Sequence, residues 1–182
     1  LARAGIGKLI LIDFDRVDIT NLHRQQYKAD QIGRHKSEAL SENLKEIAPY
    51  IKLEVHSVRI NEDNAAEHLK AADIVCEAFD DAECKAMLTN TVLERMPDKY
   101  LVAASGMAGF GSANTIQTRR VLKRFYICGD GESDVAEEGS LVSSRVMICA
   151  AHQAHMLPPQ PAFVRSGFGT PPPFPPNGHC PL

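Results

Sequence analysis

Residues 5–25 read GIGKLILIDFDRVDITNLHRQ, and the first half of that stretch decides the fold. Lys8-Leu-Ile-Leu-Ile12 is a continuous apolar run too short for a helix, bounded by Gly7 and Asp13, which is the pattern of a strand buried on both faces. Upstream, Leu1-Ala-Arg-Ala-Gly5 reads as the last turn of a helix closed by glycine. A helix feeding directly into a buried strand predicts an earlier strand and turn ahead of Leu1.

Working outward, the same alternation recurs. His35 to Ile47 carries Leu40, Leu44 and Ile47 at helical spacing and is stopped by Pro49. Lys52 to Val58 alternates as a strand, Asn61 to Ala71 predicts a short helix capped by Asn61 or Asp63, and Asp73 to Phe79 predicts a second buried strand. Ala82 to Met96 is expected to be helical and Tyr100 to Ser105 a strand. Strands alternating with helices at this spacing predict an α/β, Rossmann-like, doubly wound and mainly parallel sheet, with Leu9–Ile12, Leu53–Val55, Ile74–Cys76 and Leu101–Ala104 in one sheet. Gly106, Gly109 and Gly111 lead into Thr115–Thr118, the expected start of a smaller, antiparallel part. Nine of the 11 prolines fall from Pro158 onward, so residues 1–156 are expected to form the domain and 157–182 a disordered or polyproline tail.

Composition excludes several classes. With 44% hydrophobic and 24% charged residues and a formal net charge of -3, the 182-residue chain carries no basic footprint for nucleic acid or an acidic membrane surface. No apolar run reaches the roughly 18 residues of a membrane span, and no signal peptide is evident, so a cytoplasmic location is expected. Cys76, Cys84, Cys128, Cys149 and Cys180 include no CxxC pair, which argues for reduced thiols and against structural zinc.

The chemistry should lie beyond the carboxyl ends of the strands, where open α/β sheets bind ligands. Asp13 is placed there, as an acid at a strand end that can hold ribose hydroxyls. Asp15 follows, then Asn21, Arg24 and Gln25 in NLHRQ, then Lys36 at the start of the next helix, with Asp80 and Asp81 past the second strand. Two cations, amides and carboxylates on adjacent loops are what a triphosphate with Mg²⁺ requires. Taken singly, each has a plainer reading. Asp13 and Asp15 could be solvated acids, Arg24 their partner, Lys36 an exposed helix residue and Asp80 a helix N-cap.

In their combined order, GIGKLILIDFDRVDITNLHRQQ, the helix containing Lys36, IVCEAFDDAECK and ASGMAGFGSAN resemble the ThiF, MoeB and HesA superfamily, relatives of the ubiquitin-activating enzymes, over about residues 1–156. EAFDD and ASGMAGFGSAN look most like the thiamine-biosynthesis branch. The resemblance implies ATP-dependent adenylation of the C-terminal glycine of a ubiquitin-like sulfur-carrier protein ending in Gly-Gly, in thiamine or related molybdopterin biosynthesis, by a homodimer. It implies that Asp13, with Asp15 beside it, serves the ribose, that Asn21, Arg24, Gln25 and Lys36 contact phosphates, and that Asp80 binds Mg²⁺ or orients the reacting groups, with Arg24, Lys36 and Asp80 catalytic. It also implies a glycine-rich phosphate loop ahead of Leu1, which residues 1–182 do not include, so little activity is expected of these residues alone. Cys128 and Cys149 are candidates for sulfur handling, with buried, incidental thiols as the plainer reading. Alternatives are an enzyme like the tRNA threonylcarbamoyladenosine dehydratases, which should show a basic patch, a catalytically incomplete carrier-binding or dimerisation module, and an NAD-binding dehydrogenase, in which NLHRQ would have no role.

Overall fold

The computed structural model describes residues 1–156; the tail expected over 157–182 lies outside the described residues. Within them the elements are β1 (Lys8–Ile12), α1 (Lys36–Ile47), β2 (Lys52–His56), α2 (Ala65–Leu69), β3 (Ile74–Cys76), α3 (Ala82–Arg95), β4 (Tyr100–Ala104), β5 (Gln117–Leu122), β6 (Phe125–Gly129), α4 (Val135–Glu138) and α5 (Ser143–Met156). Ahead of β1, Ala2–Ala4 form a single 3₁₀ turn closed by Gly5 at φ 83°, as the opening sequence predicts.

The α/β, Rossmann-like architecture is as expected, with parallel β1–β2 and β3–β4 pairs each bridged by a helix. The expectation of one continuous sheet needs correcting. Hydrogen bonding divides the strands into a β1–β2 pair and a four-stranded sheet in the order β3-β4-β6-β5, in which β5 is antiparallel to β6. The ladder breaks because no strand lies between β1 and β3 among the described residues.

Period-two alternation in β4 builds both halves of the core. Leu101 and Ala103 pack with Val75, Leu88, Val92 and Phe125 beneath α3, while Val102 and Ala104 pack with Ile6, Ile116, Cys128 and Cys149 beneath α5. Ile6, on the approach to β1, lies in the second cluster, and Ile12 packs against the first, so side chains join the β1–β2 pair to the larger sheet even though no backbone bonds do.

Two helices differ from their sequence reading. The buried face of α1 is Lys36, Ser37, Ala39, Ser41 and Asn43, and Ile47, expected on the core side, is 41% exposed. Polar groups are buried there because they are paired. Gln31 donates to Asn43 Oδ1 at 2.9 Å, and the Ser37 and Ser57 hydroxyls lie 2.9 Å apart. In α2 the helix starts at Ala65, because the Asn61 carboxamide accepts the N–H groups of Asp63 and Asn64 and closes a turn instead of capping a longer helix.

Candidate functional site

β1 ends by turning on its own acid. The Asp13 N–H extends the ladder to His56 O at 3.1 Å, and Asp13 Oδ1 then accepts the Asp15 N–H at 2.9 Å. Burial raises the Asp13 carboxyl above its ordinary 3.8, against the lowering influence of the Asp15 N–H and Lys36, and the neighbouring Asp15 and Asp80 charges raise it further. Asp13 and Asp80, past the carboxyl ends of β1 and β3, both line the same cavity.

Lys36, the first residue of α1, donates its main-chain N–H to Asp15 O at 2.9 Å and its ammonium to Asp15 Oδ2 at 2.7 Å. Its side chain is 11% exposed, so the cation is held at one point. The loop between them is pinned by Val17 N–H to Arg34 O and by Gly33 N–H to Val17 O. At the Asp18–Asn21 turn, the Asp18 carboxylate accepts the Thr20 N–H and Asn21 Oδ1 accepts the Asp18 N–H. Asn21, expected at phosphate, is therefore buried as a turn-closing group, off the cavity wall. Arg24 is steadied by Thr20 O at 2.8 Å, and Gln25 Oε1 is buried with no hydrogen-bond partner. A buried acceptor left unmet at a cavity wall is ready for a donor from a ligand.

On the other side, Asp80 lies in the β3–α3 loop. The N-cap of α3, the plainer reading of Asp80, is Asp81, whose carboxylate accepts the Cys84 N–H at 2.8 Å. Asp80 is thus released from capping. The loop is anchored by Glu77, 1% exposed, whose carboxylate accepts N–H groups from Phe79 and Ala104 and the Lys85 ammonium at 3.0 and 3.2 Å. Lys85 also donates to Ala104 O, and Gln153 of α5 donates to Glu77 O at 2.8 Å.

Asp13, Asp15, Arg24, Gln25, Lys36 and Asp80 all line one cavity of about 2050 Å³. Sequence reasoning missed Lys85 and Arg59, which also line it. Lys85 stands one turn into α3, where a cation can reach back to the strand it follows, and that spacing was the available signal. Arg59 also lines the cavity and stacks 5.3 Å from the Phe14 ring centre. Burial and the charges of Asp13 and Asp15 push the Tyr27 phenol up to about 12. Cys128 and Cys149 take the plainer reading. Both are fully buried, Cys149 donates to Cys128 O at 3.3 Å, and burial pushes the Cys149 thiol up to about 11.

Chemically, the wall offers a cationic arm on the α1 side, a lone carboxylate on the β3 side and an acid at the end of β1. No group of three or more His, Cys, Asp or Glu side chains suited to a metal occurs among the described residues. The donor set therefore fits Mg²⁺ only as an ion arriving with a phosphate ligand, which supplies most of its oxygens. No helix among the described residues is long and apolar enough to cross a membrane.

The chain is 38% identical over 109 residues to the adenylyltransferase and sulfurtransferase MOCS3 of Caenorhabditis briggsae, covering 59% of this chain and 26% of that protein. It is 30% identical over 94 residues to the sulfur carrier protein adenylyltransferase of Thermus thermophilus, covering 51% of this chain and 35% of that one. The chain thus spans about a quarter to a third of these relatives. Both are named as adenylyltransferases, one of a sulfur carrier protein, and neither name supports the thiamine branch in particular. In fold, it is similar to the E. coli tRNA N6-threonylcarbamoyladenosine dehydratase TcdA in complex with ATP, with TM-score 0.73, 23% identity, and coverage of 91% of this chain and 81% of that one. E. coli MccB with ATP aligns at TM-score 0.60 and 20% identity, covering 86% of this chain and 49% of that one. The ThiF family model matches residues 1–155, and the chain belongs to the ThiF family.

Proposed function

We propose that this chain carries the nucleotide-handling part of an adenylyltransferase that activates the C-terminal glycine of a ubiquitin-like sulfur-carrier protein. The observation that carries the reading is the convergence of Asp13, Arg24, Gln25, Lys36 and Asp80 on one cavity, with the Gln25 acceptor unmet. The names of the relatives supply the substrate class.

In the reaction, a carboxylate oxygen of the carrier glycine forms a bond to the α-phosphorus of ATP, and the bond from that phosphorus to the bridging oxygen breaks. Acyl-adenylate and pyrophosphate result. Two anions must approach, so the catalyst has to neutralise charge and fix alignment. Lys36 and Arg24 provide the neutralisation from a braced loop, and Asp13 holds the ribose hydroxyls. Gln25 Oε1 accepts a donor from the nucleotide. Mg²⁺, held through Asp80 and the phosphate oxygens, would supply further charge neutralisation on the leaving group. Asp80 is suited to this because Asp81 does the capping and Glu77 does the anchoring. An enzyme acting on tRNA is the weaker reading, since likeness to the dehydratase rests on fold alone and the net charge of -3 offers nothing to RNA phosphates.

Radiolabelled pyrophosphate exchange with a Gly-Gly-ended carrier tests the proposal in the 182-residue chain extended by a glycine-rich segment ahead of Leu1. Carrier-dependent exchange that falls in Lys36→Ala and Asp80→Ala, while carrier binding persists, supports it. Exchange indifferent to both substitutions, or to the carrier, refutes it.

A further inference from the structure

The loop after β4 ends in a pinned tip that carries one large apolar side chain. Ala108 donates its N–H to Ser133 Oγ at 3.1 Å and bridges Leu141, and Gly109 donates its N–H to Ser140 O at 2.9 Å, so the loop lies along the segments on either side of α4. Past the tip, the buried Arg145 guanidinium donates to Ser112 O at 2.9 Å and to the Asp130 carboxylate, which also accepts the Glu132 and Ser133 N–H groups at 2.9 Å. A side chain at Gly109 would run into the Glu138 carboxylate, and one at Gly111 into the Arg145 guanidinium. Phe110, between those two bare positions, is 84% exposed. An aromatic ring presented on a pinned backbone has already met much of the ordering cost of docking.

We propose that Phe110 and Val135, with the acids around them, form the docking face for the folded body of the carrier protein, an inference that rests on the carrier reading above. Gly109 lies against Glu138 of α4, the helix that Val135 opens. Val135 is 47% exposed and also lines the cavity, together with Met107, Ala108 and Leu141. The apolar face therefore runs from the surface into the wall that the glycine carboxylate has to reach, and an extended tail advances about 3.3 Å per residue toward it. Charge selects the complement. Residues 125–144 contain five acids, Asp130, Glu132, Asp134, Glu137 and Glu138, and no lysine or arginine. Asp130 is taken up by Arg145, and the other four are exposed and lie within three residues of Val135. Such a face fits an apolar patch bordered by lysine or arginine and repels nucleic acid and acidic membranes. A second copy is a poor occupant, because a two-fold contact would set these acids against their own counterparts.

The test measures carrier binding to the whole 182-residue chain by isothermal titration calorimetry without nucleotide, so that it is decided apart from pyrophosphate exchange. The probes are the Gly-Gly-ended carrier and the same carrier lacking its last two glycines, which leaves the body to bind alone. Phe110→Ala should weaken both by roughly tenfold or more with Tm unchanged, since the ring packs on nothing that the fold needs. The double variant Glu132→Lys, Glu137→Lys should weaken both by about tenfold at low salt and by less as salt rises. Val121→Ser, which removes an exposed apolar side chain from β5, should change neither. Failure of the shortened carrier to bind, or equal binding by Phe110→Ala and the unaltered chain, overturns the proposal. So does tighter binding by the lysine double variant, or self-association that Phe110→Ala abolishes. Phe110-dependent binding beside exchange that ignores the carrier would sustain the face and refute the adenylation reading, so the two failures are distinct.

Discussion

Lys85→Ala isolates the ion pair beneath the site. Glu77 is 1% exposed, and among the described residues Lys85 alone brings it a positive charge within bonding distance. Removing one partner of a buried pair typically costs about 3–5 kcal/mol, because the remaining charge stays desolvated. Two features pull the value toward the lower end: the Lys85 side chain is 25% exposed, and Glu77 keeps N–H donors from Phe79 and Ala104. A loss of about 3 kcal/mol is therefore expected, equivalent to roughly 6–12 °C in Tm for a domain of this size. Differential scanning calorimetry beside Lys45→Ala, an exposed lysine expected to change stability by less than about 0.5 kcal/mol, provides the scale. The double variant Glu77→Gln, Lys85→Met should regain much of the loss by removing both charges. A Lys85→Ala cost matching that of Lys45→Ala, or a double variant no better than Lys85→Ala, would refute the reasoning.

Asp13→Asn keeps the acceptor for the Asp15 N–H and removes the buried charge. Because the native carboxyl is raised above 3.8, the folded state holds its proton more tightly than the unfolded chain, so Asp13 withdraws stability as pH rises out of the region just above 3.8. The Tm difference favouring Asp13→Asn should be largest at pH 7 and shrink toward pH 4; a difference constant with pH contradicts this. Gly129→Ala places a Cβ 1.7 Å from Ser105 O at φ +137° and should cost more than about 3 kcal/mol in urea denaturation, whereas Gly5→Ala, at φ +83° with open space around it, should cost only about 1–2 kcal/mol. In the extended protein, Asp80→Ala should lower carrier-dependent pyrophosphate exchange by about 10²–10³-fold with carrier affinity nearly unchanged, and a parallel loss of both would recast Asp80 as a binding residue.

Much of the fold was legible because it follows from periodicity. β1, the β3–α3–β4 unit and the β5 turn lie within a few residues of their predicted bounds. Strand-end residues were legible for a related reason, since parallel topology sends every strand-end loop to the same edge, and six of the seven expected site residues line one cavity. Polar satisfaction was not legible. Whether Asn21 faces a ligand or closes a turn, and whether Asp80 or Asp81 caps α3, depends on single hydrogen bonds that residue type leaves open. Apolar spacing gave only part of the inner face of α1, which packs Leu44 against the core but leaves Ile47 exposed and buries paired amides and hydroxyls instead. The break between β1 and β3 follows from which strands are neighbours, and local sequence does not encode that.

The outer rim of the four-stranded sheet has a consequence for solubility. β5 carries Arg119 and Arg120 on its exposed edge, and its register slips between Arg120 and Leu122. The Arg120 guanidinium folds back onto Leu122 O at the end of β5 and Lys123 O in the turn that follows, holding its charge close to that rim. Charge and an irregular ladder are how native sheets discourage edge-to-edge aggregation. Neutralising Arg119 and Arg120 should therefore make concentrated samples precipitate through this rim while leaving the fold of the dilute protein unchanged.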